Sequence, residues 1–382
     1  MVVLLRTLVL PALSLRRICS IKMGGTTEPS IPNFVSLGVD NSRKISSGFK
    51  FSLVSYNILA QVYVKSIFFP HSPSSCLKWK ARSEAVLTDL KSLNADFFCI
   101  QELDEYDNFY KGNIEKHGYS SIYIQRPGQK RDGCGIFYKQ TSAELVQSEE
   151  IHYNDLVDSV AYSGDSNGIE RTSGILAKEV EASNDTQNKN GEDNDGNLDD
   201  LRLRLKRDCV GLLAAFKLKD PSKHVLIVAN THIYWDPAWV DVKVAQVKYL
   251  LSRLSIFEEV IRDKYSCKPS VVIAGDFNST PGDEVYKYIT SAAADYDGPS
   301  PPMQLHSLYG AHGGEPPFTN CTPEFTGTLD YIFLSDACWL KPVSLLRLPG
   351  PDSVDVVGGL PNHHHPSDHL PIGGEFEMFT IS

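Results

Sequence analysis

Residues 271–279 read Val-Val-Ile-Ala-Gly-Asp-Phe-Asn-Ser. The short apolar run from Val271 to Ala274 predicts a buried strand, and Asp276 and Asn278 follow where that strand ends. Polar side chains placed on a rigid scaffold in this way are typical of binding and catalytic sites. Taken alone, the motif fits an Asx turn after a strand equally well.

The same arrangement recurs along the chain. Apolar runs at 49–56, 97–100 and 225–229 are each followed by polar residues, namely Asn57, Gln101 with Glu102, and Asn230 with His232. Two further strands begin with polar residues: Asp330 opens one, and Asp368-His369 opens the last. Because one antiparallel strand ends where its neighbour begins, these residues are predicted to share a single rim.

The rest of the chain alternates short strands with helices. Apolar periodicity predicts a helix over Trp79 to Leu93 and a long amphipathic helix that starts near Val240. Further strands are predicted at 133–139 and 210–217, and no internal repeat is found. This pattern favours an α+β fold, with sheets inside and helices outside.

Charge and composition divide the chain into segments. The net charge is −10, but residues 158–200 hold eleven acidic and three basic residues. Residues 163–200 contain too little apolar surface to fold alone and are predicted to be a disordered acidic insert. The remaining charge does not exclude an RNA substrate, although no broad basic stripe supports one. The eight cysteines have no C-x-x-C spacing, which indicates a reduced, intracellular protein.

The N-terminal segment leaves two interpretations open. Residues 1–23 lack Asp and Glu but contain four basic residues, which fits a mitochondrial presequence or an N-terminal tail. Met23 could serve as a second start, and the cytoplasm or nucleus would then be the location. Residues 24–48 are rich in Gly, Ser, Pro and Thr and are predicted to be a linker, so the catalytic domain would span 49–382.

Several other clusters have ordinary explanations. The run His363-His364-His365 could bind zinc, but three consecutive side chains cannot all point one way on an extended chain. The tryptophans at positions 79, 235 and 239 are interpreted as packing residues. Lys78, Lys80 and Arg82 form either a phosphate-facing patch or a solvated helix face.

Together, the ordered polar motifs resemble the endonuclease/exonuclease/phosphatase superfamily. The resemblance is carried by these residues: Asn57, Gln101-Glu102, Thr231-His232, Gly275-Asp276-Phe277-Asn278 and Ser367-Asp368-His369. Two longer stretches, 230–237 and 318–333, resemble the carbon catabolite repressor 4 class of deadenylases. The resemblance implies a deoxyribonuclease I-like four-layer α/β sandwich, in which helices flank two mostly antiparallel sheets.

The resemblance also implies a mechanism and a set of roles. The implied activity is Mg²⁺-dependent 3′-to-5′ removal of poly(A) from mRNA by in-line hydrolysis, with Mn²⁺ as an alternative cation. The implied site residues are Glu102, Asn57 and Asp368 for the metal; Asp276, Asn278, His232, Asp330 and His369 for catalysis; and Asn230, Pro237 and Phe325 for the substrate. Pro237 and Phe325 would sandwich the terminal adenine, unless Phe325 packs in the core.

Three alternatives stay open on the same residues. A nocturnin-like dinucleotide 2′-phosphatase or a 2′,5′-oligoadenylate phosphodiesterase would use the same catalytic set. A non-catalytic RNA-binding protein is the third, although the catalytic carboxylates and His369 are all present. Poly(A) is the expected partner, no membrane association is expected, and docking to a CCR4-NOT-type complex is expected to be weak or absent. That last expectation comes from the lack of a leucine-rich array in the sequence.

Overall fold

A computed structural model describes residues 33–38, 48–161, 202–220, 223–291, 300–336 and 339–379. These residues belong to one compact unit. The presequence or tail predicted at 1–23 and the acidic insert predicted at 163–200 lie outside the described residues. Most of the linker predicted at 24–48 lies outside them as well.

The strands of the described chain are short and follow one another closely. They are β1 (Phe34–Ser36), β2 (Phe49–Asn57), β3 (Phe97–Gln101), β4 (Tyr119–Gln125), β5 (Gly133–Lys139), β6 (Ala143–His152), β7 (Val210–Leu218), β8 (Val225–His232), β9 (Ser270–Asp276), β10 (Leu305–Ser307), β11 (Asn320–Cys321), β12 (Thr326–Gly327), β13 (Asp330–Ser335), β14 (Leu340–Leu346) and β15 (Ile372–Met378).

The helices cover the outer faces of the sheets. They are α1 (Trp79–Leu93), α2 (Lys111–Glu115), α3 (Leu156–Ala161), α4 (Val240–Tyr265) and α5 (Glu284–Thr290), together with single turns at Gln61–Tyr63, Tyr106–Tyr110, Tyr153–Asp155 and Gly310–His312. None of the helices in the described ranges is long and apolar enough to cross a membrane.

Two sheets carry the fold. The first has the strand order β1-β14-β15-β2-β3-β5-β4 and the second has the order β10-β13-β9-β8-β7-β6. Each sheet contains one parallel pair, β2 with β3 and β8 with β9, and all its other pairs are antiparallel. A parallel pair needs a crossover, which α1 supplies in the first sheet and α4 supplies in the second.

The inner faces of the sheets pack against each other to form the central core. Phe97 of β3 meets Phe216 of β7 edge to face, with ring centroids 5.1 Å apart. On the outer faces, Val86 and Leu90 of α1 and Leu250 of α4 are fully or almost fully buried. Helix, sheet, sheet and helix therefore stack in four layers, which confirms the predicted fold class.

Several strands escape sequence prediction. Residues 34–36, which the composition assigns to a linker, form edge strand β1 and pair with β14. Strands β4 and β6 are polar at many positions, and most of their side chains are only half-buried or exposed. An edge strand needs little apolar surface, because one of its sides has no partner strand. The six cysteines in the described residues are all free.

Gly275 gives a test of how closely β8 and β9 approach. A Cβ atom at this position would lie 2.1 Å from the carbonyl oxygen of Thr231. We expect Gly275→Ala to lower the free energy of unfolding by roughly 1–3 kcal/mol, because the parallel pair must separate. Gly112→Ala is the control, since a Cβ there meets nothing within 4 Å. Denaturant titrations that give equal stability for both variants would contradict this packing.

Candidate active site

Strand register brings the predicted polar residues to one edge of each sheet. In the first sheet, Asn57 lies opposite Gln101 at the ends of β2 and β3. In the second sheet, Asp276 at the end of β9 lies opposite His232 on one side and Asp330 on the other. The chain departs from these ends into loops, so the side chains stand at the rim of the sandwich.

A buried amide pair joins the two rims. Gln101 Nε2 donates to Asn230 Oδ1 across the sandwich at 2.7 Å. The amide of Asn230 donates in turn to the carbonyl oxygens of Ile100 and Gly135, at 3.0 and 2.8 Å. Both amides are fully buried. Asn230, predicted to bind substrate, therefore lies beneath the site and connects the second sheet to the first.

Glu102 is held on the first rim by two hydrogen bonds. Its backbone is left-handed, with φ of 52°, a conformation that is uncommon outside glycine. The carboxylate accepts from the backbone N–H of Ala60 at 2.9 Å and from Asn57 Nδ2 at 3.2 Å. Burial raises the pKa of Glu102 to about 8, and the carboxylates of Asp368 and Asp132 add to the rise.

Asn57 links the carboxylates of the two rims. Its Nδ2 also donates to Asp276 Oδ2 at 2.9 Å, and its Oδ1 accepts from the backbone N–H of Leu59 at 3.0 Å. These partners orient the amide so that N–H groups, which cannot bind a cation, face both carboxylates. In this arrangement Asn57 holds Glu102 and Asp276 together, and its role at the metal stays a prediction.

Asp276 stands between two imidazoles. Its Oδ2 lies 3.5 Å from Nε2 of His232 and 3.7 Å from Nε2 of His369. Its Oδ1 accepts from the backbone N–H of Asn278 at 2.9 Å. Burial and the neighbouring carboxylate of Asp330 raise the pKa of Asp276, while the two histidines oppose this rise.

His369 and Asp330 form a buried pair beside Asp276. Nδ1 of His369 donates to Asp330 Oδ2 at 2.7 Å, and the hydroxyl of Thr319 donates to the same oxygen at 2.6 Å. Burial alone would lower the pKa of His369, but the carboxylates of Asp330 and Asp276 outweigh burial and raise it well above its usual value. The two carboxylates therefore favour the protonated form of His369, whose Nε2 faces Asp276 at 3.7 Å.

His232 has the opposite character. Burial lowers its pKa, and the attraction of Asp276 does not fully compensate. The pKa values of the two imidazoles on either side of Asp276 are thus shifted in opposite directions. Titratable groups whose pKa values are separated by their surroundings are typical of acid–base chemistry at one reacting centre.

The Asn278 side chain already donates one hydrogen bond within the protein. Its backbone is left-handed, with φ of 44°, and its Nδ2 donates to the carbonyl oxygen of Ile233 at 3.0 Å. Lys243 at the start of α4 donates to the Asn278 carbonyl oxygen at 2.8 Å. Since the side-chain amide carries two N–H groups, the second can donate to a phosphate oxygen, which is compatible with the catalytic role predicted for Asn278.

The residues present fit a divalent cation. Asp276, Asp330 and His369 bring ligand atoms within 4.8 Å of one another, and within the described ranges no other set of three His, Cys, Asp or Glu side chains does so. Asp330 Oδ1 is buried without a hydrogen-bond partner. Glu102 and Asp368 add carboxylates whose mutual repulsion a cation would relieve. The histidine run at 363–365 forms no such group.

The residues predicted to stack on adenine lie on the surface. Phe325 is 41% exposed, which excludes the alternative that it packs in the core. Its loop is held by the N–H of Phe325, which donates to the hydroxyl of Thr322 at 3.1 Å. Pro237 is also exposed. Both side chains are therefore accessible to a ligand.

One buried carboxylate escapes sequence analysis. Asp132 is fully buried, accepts from the hydroxyl of Tyr63 at 2.9 Å, and pairs with Arg126 at 3.3 Å. Its charge acts on both Glu102 and His232. The sequence pattern that identified Asp330 also applies to Asp132, because Asp132 directly precedes strand β5 and Asp330 is the first residue of β13.

Arg82 is buried, so neither interpretation of the basic residues 78, 80 and 82 holds for it, whereas Lys78 and Lys80 are exposed. Arg82 is 3% exposed. Its guanidinium donates to the carbonyl oxygens of Ile58, Leu59 and Pro366 at 2.5 to 2.7 Å. Arg82 thereby joins the loop after Asn57 to the segment that leads into Asp368 and His369.

Comparisons with known proteins agree with this geometry. The sequence profile described as the endonuclease/exonuclease/phosphatase family matches residues 54–369. An Arabidopsis thaliana protein named carbon catabolite repressor protein 4 homolog 4 is 56% identical over 347 residues, which is 90% of this chain and 81% of that protein. The CCR4-Not complex 3′-5′-exoribonuclease subunit Ccr4 of Schizosaccharomyces pombe is 27% identical over 87% of this chain. The chain spans only 50% of that subunit.

Solved structures show the same fold. ANGEL2, a 2′,3′-cyclic phosphatase crystallised with adenosine-2′,3′-vanadate, superposes with a TM-score of 0.66 at 24% identity, covering 93% of this chain and 99% of that one. The catalytic domain of human nocturnin superposes with a TM-score of 0.59 at 22% identity, covering 91% of this chain and 98% of that one.

Replacing Arg82 tests its bracing role. Arg82→Met leaves three buried carbonyl oxygens without a donor. We expect it to lower the free energy of unfolding by about 3–5 kcal/mol and to lower turnover. The control is Lys80→Ala, which removes an exposed charge from the same helix. If Lys80→Ala impaired turnover as much while Arg82→Met left stability unchanged, the basic residues of α1 would act on the substrate instead.

Proposed function

Because this chain belongs to the endonuclease/exonuclease/phosphatase family, we propose that it hydrolyses the phosphodiester bonds of RNA from the 3′ end and removes poly(A). The observation that carries the proposal is the position of Asp276, whose Oδ2 lies 3.5 Å from Nε2 of His232 and 3.7 Å from Nε2 of His369. A carboxylate with a raised pKa can orient and deprotonate water, and the flanking N–H groups can bind the phosphate.

The proposed reaction is a single in-line displacement. Asp276 takes a proton from the attacking water, whose oxygen forms the new bond to phosphorus. The bond from phosphorus to the 3′ oxygen breaks and this oxygen takes up a proton from solvent, while Asp276 releases the proton that it took to solvent. The products are 5′-AMP and a shortened RNA with a 3′ hydroxyl. His369 donates from Nε2 to a phosphate oxygen while Asp330 holds its ring, and His232 donates a hydrogen bond to the leaving oxygen.

A divalent cation is part of the proposal. Glu102, assisted by Asp368, would hold it on the first rim, and Mg²⁺ is the cation that carboxylate oxygens at a phosphate site favour. When bound, it would neutralise phosphate charge and stabilise the leaving oxygen. Asn57 would keep Glu102 at a fixed place relative to Asp276 through its two hydrogen bonds.

The direction of cleavage and the RNA substrate come from the relatives. The Schizosaccharomyces pombe relative is named a 3′-5′-exoribonuclease and a CCR4-Not subunit, and the Arabidopsis thaliana relative is named a homolog of carbon catabolite repressor protein 4. Removal of poly(A) by this chain extends those names to its own site. Weak or absent docking to a CCR4-Not-type complex stays a prediction.

A substrate panel tests the proposal directly. The purified protein is given 5′-labelled RNA ending in twenty adenosines, NADPH, 2′,5′-linked oligoadenylate and an RNA with a 2′,3′-cyclic phosphate, each with Mg²⁺ or EDTA. We expect a ladder of shortened RNA and release of 5′-AMP only with Mg²⁺. Turnover of another substrate with no shortening of the RNA would replace poly(A) as the substrate while leaving the site intact.

Catalysis should require the carboxylates of both Glu102 and Asp276, which lie on opposite rims of the site. We expect Glu102→Gln and Asp276→Asn each to lower kcat by about 10²-fold or more, because each removes a charge fixed at the reacting phosphate. Asp107→Asn is the matched control, since this carboxylate is exposed on a neighbouring helical turn. Near wild-type turnover by either rim variant would refute its assignment.

Phe325 should contribute to adenine binding rather than to stability. We expect Phe325→Ala to raise KM for oligo(A) about five- to hundred-fold, because base–aromatic stacking contributes roughly 1–3 kcal/mol. The melting temperature should not change, since the ring is largely exposed. Rates on a small unspecific diester give the control. Equal loss on both substrates would exclude a stacking role.

A further inference from the structure

A cluster of aromatic and arginine side chains lies beside His232, and the proposed mechanism does not use it. We call it the Trp239 cluster; it consists of Arg204, Arg207, Tyr234, Trp235 and Trp239. Tyr234 and Trp235 lie two and three residues after His232, the last residue of β8. Arg207 lies three residues before Val210, which pairs with His232 across β7 and β8. The cluster therefore adjoins the catalytic rim.

Two guanidinium groups contact the Trp239 ring, and they differ in their partners. The Cζ atoms of Arg204 and Arg207 each lie 4.0 Å from the ring centroid. Arg204 makes a bidentate pair with Asp241, at 2.7 and 2.8 Å. Arg207 has no carboxylate within 4.0 Å among the described residues. Arg204 is therefore neutralised by Asp241, whereas no carboxylate among the residues that the structure describes neutralises Arg207.

Arg207 is held in place but lacks hydrogen bonds from its guanidinium. Its Cζ also lies 5.3 Å from the Tyr234 ring, so two aromatic side chains fix its orientation. Nε of Arg207 is buried without a partner, and no bond from its other nitrogens is found in the described part of the chain. An oriented cation with unsatisfied donors is suited to binding an anion, and the planar guanidinium matches a phosphate.

Trp235 supplies an exposed aromatic surface in the same cluster. The residue is 64% exposed, so the interpretation of Trp235 as a packing residue is wrong. Tyr234 contacts both members, since its ring centroid lies 6.1 Å from that of Trp235 and 5.3 Å from Cζ of Arg207. Exposed aromatic rings with cations alongside are the elements that bind single-stranded nucleic acid, because the bases stack and the backbone is neutralised.

The backbone around Arg207 is anchored to the site through Arg126. Nε of Arg126 donates to the carbonyl oxygen of Asp208 at 2.8 Å, and its Nη1 pairs with the buried Asp132. Asp132 also accepts from Tyr63, at the loop that follows Asn57. The Trp239 cluster is therefore attached to both rims of the site and keeps a fixed position relative to the reacting phosphate.

We propose that the Trp239 cluster binds the RNA upstream of the bond that is cleaved: Arg207 binds a backbone phosphate and Trp235 stacks on a base. The inference rests on the proposed function, which places the 3′-terminal nucleotide in the catalytic site. The rest of the RNA must leave that site over the adjoining surface. An acidic protein segment would use Arg207 but would gain little from an exposed indole, so RNA is the ligand that both features favour.

Binding measurements separate this inference from the catalytic proposal. The full chain carrying Asp276→Asn is mixed with labelled A20 RNA and Mg²⁺, and Kd is measured from about 50 to 200 mM salt. Adding Arg207→Gln should weaken binding about tenfold and reduce the slope of log K against log salt by about 0.7, as expected for one phosphate contact on a single strand. Trp235→Ala should weaken binding about five- to hundred-fold with little change in that slope.

Lys206→Gln is the matched control, since Lys206 is an exposed neighbour with the same charge. The inference predicts that it leaves Kd nearly unchanged, and equal weakening by Lys206→Gln and Arg207→Gln would overturn it as mere surface charge. Thermal melts show whether each variant is folded. If Arg207→Gln is unfolded, the binding of A20 is measured with Arg207→Lys and Trp235→Ala instead. Failure of the wild type to shorten RNA would reject the catalytic proposal alone, because binding is scored separately. Unchanged A20 binding in both cluster variants would reject this inference alone.

Discussion

The site depends on one buried contact between the sheets, the hydrogen bond from Gln101 to Asn230. Each sheet contributes only part of the catalytic set, since Glu102 follows β3 of the first sheet while Asp276 and Asp330 belong to β9 and β13 of the second. Apolar packing between the sheets is not directional and does not select one alignment of the two edges. A buried amide pair selects one alignment, because any displacement of the sheets would leave polar groups without hydrogen-bond partners in the interior.

Alignment of the rims determines the electrostatics of the site. Asn57 donates to Glu102 and to Asp276, so the two carboxylates keep a fixed separation. Burial, together with the concentration of negative charge, raises the pKa values of Glu102 and Asp276. The carboxylates of Asp330 and Asp276 outweigh burial and raise the pKa of His369. Burial lowers the pKa of His232, which has no direct partner like Asp330. The same buried carboxylates would be stabilised by a divalent cation, so the folding constraint and the proposed chemistry coincide.

The sequence predicts the fold and much of the site because polar residues that recur at strand ends are rarely explained by anything except a shared functional site. Asn57, Asp276 and Asp330 follow from this rule. The orientation of the Asn57 amide does not, because it depends on the N–H of Leu59 in the next loop. The burial of Arg82 could not be predicted either, since its partner Pro366 is 284 residues away. Helical periodicity describes neighbours within a helix, not the loops that later cover it.

A double-mutant cycle on Gln101 and Asn230 tests most directly whether the buried pair aligns the rims. Gln101→Leu, Asn230→Leu and the double variant are compared by free energy of unfolding and by kcat/KM on oligo(A). We expect each single change to lower both quantities, and the double change to cost less than their sum, with a coupling of roughly 0.5–3 kcal/mol. Additive losses, or full kcat/KM in either folded single variant, would contradict the account.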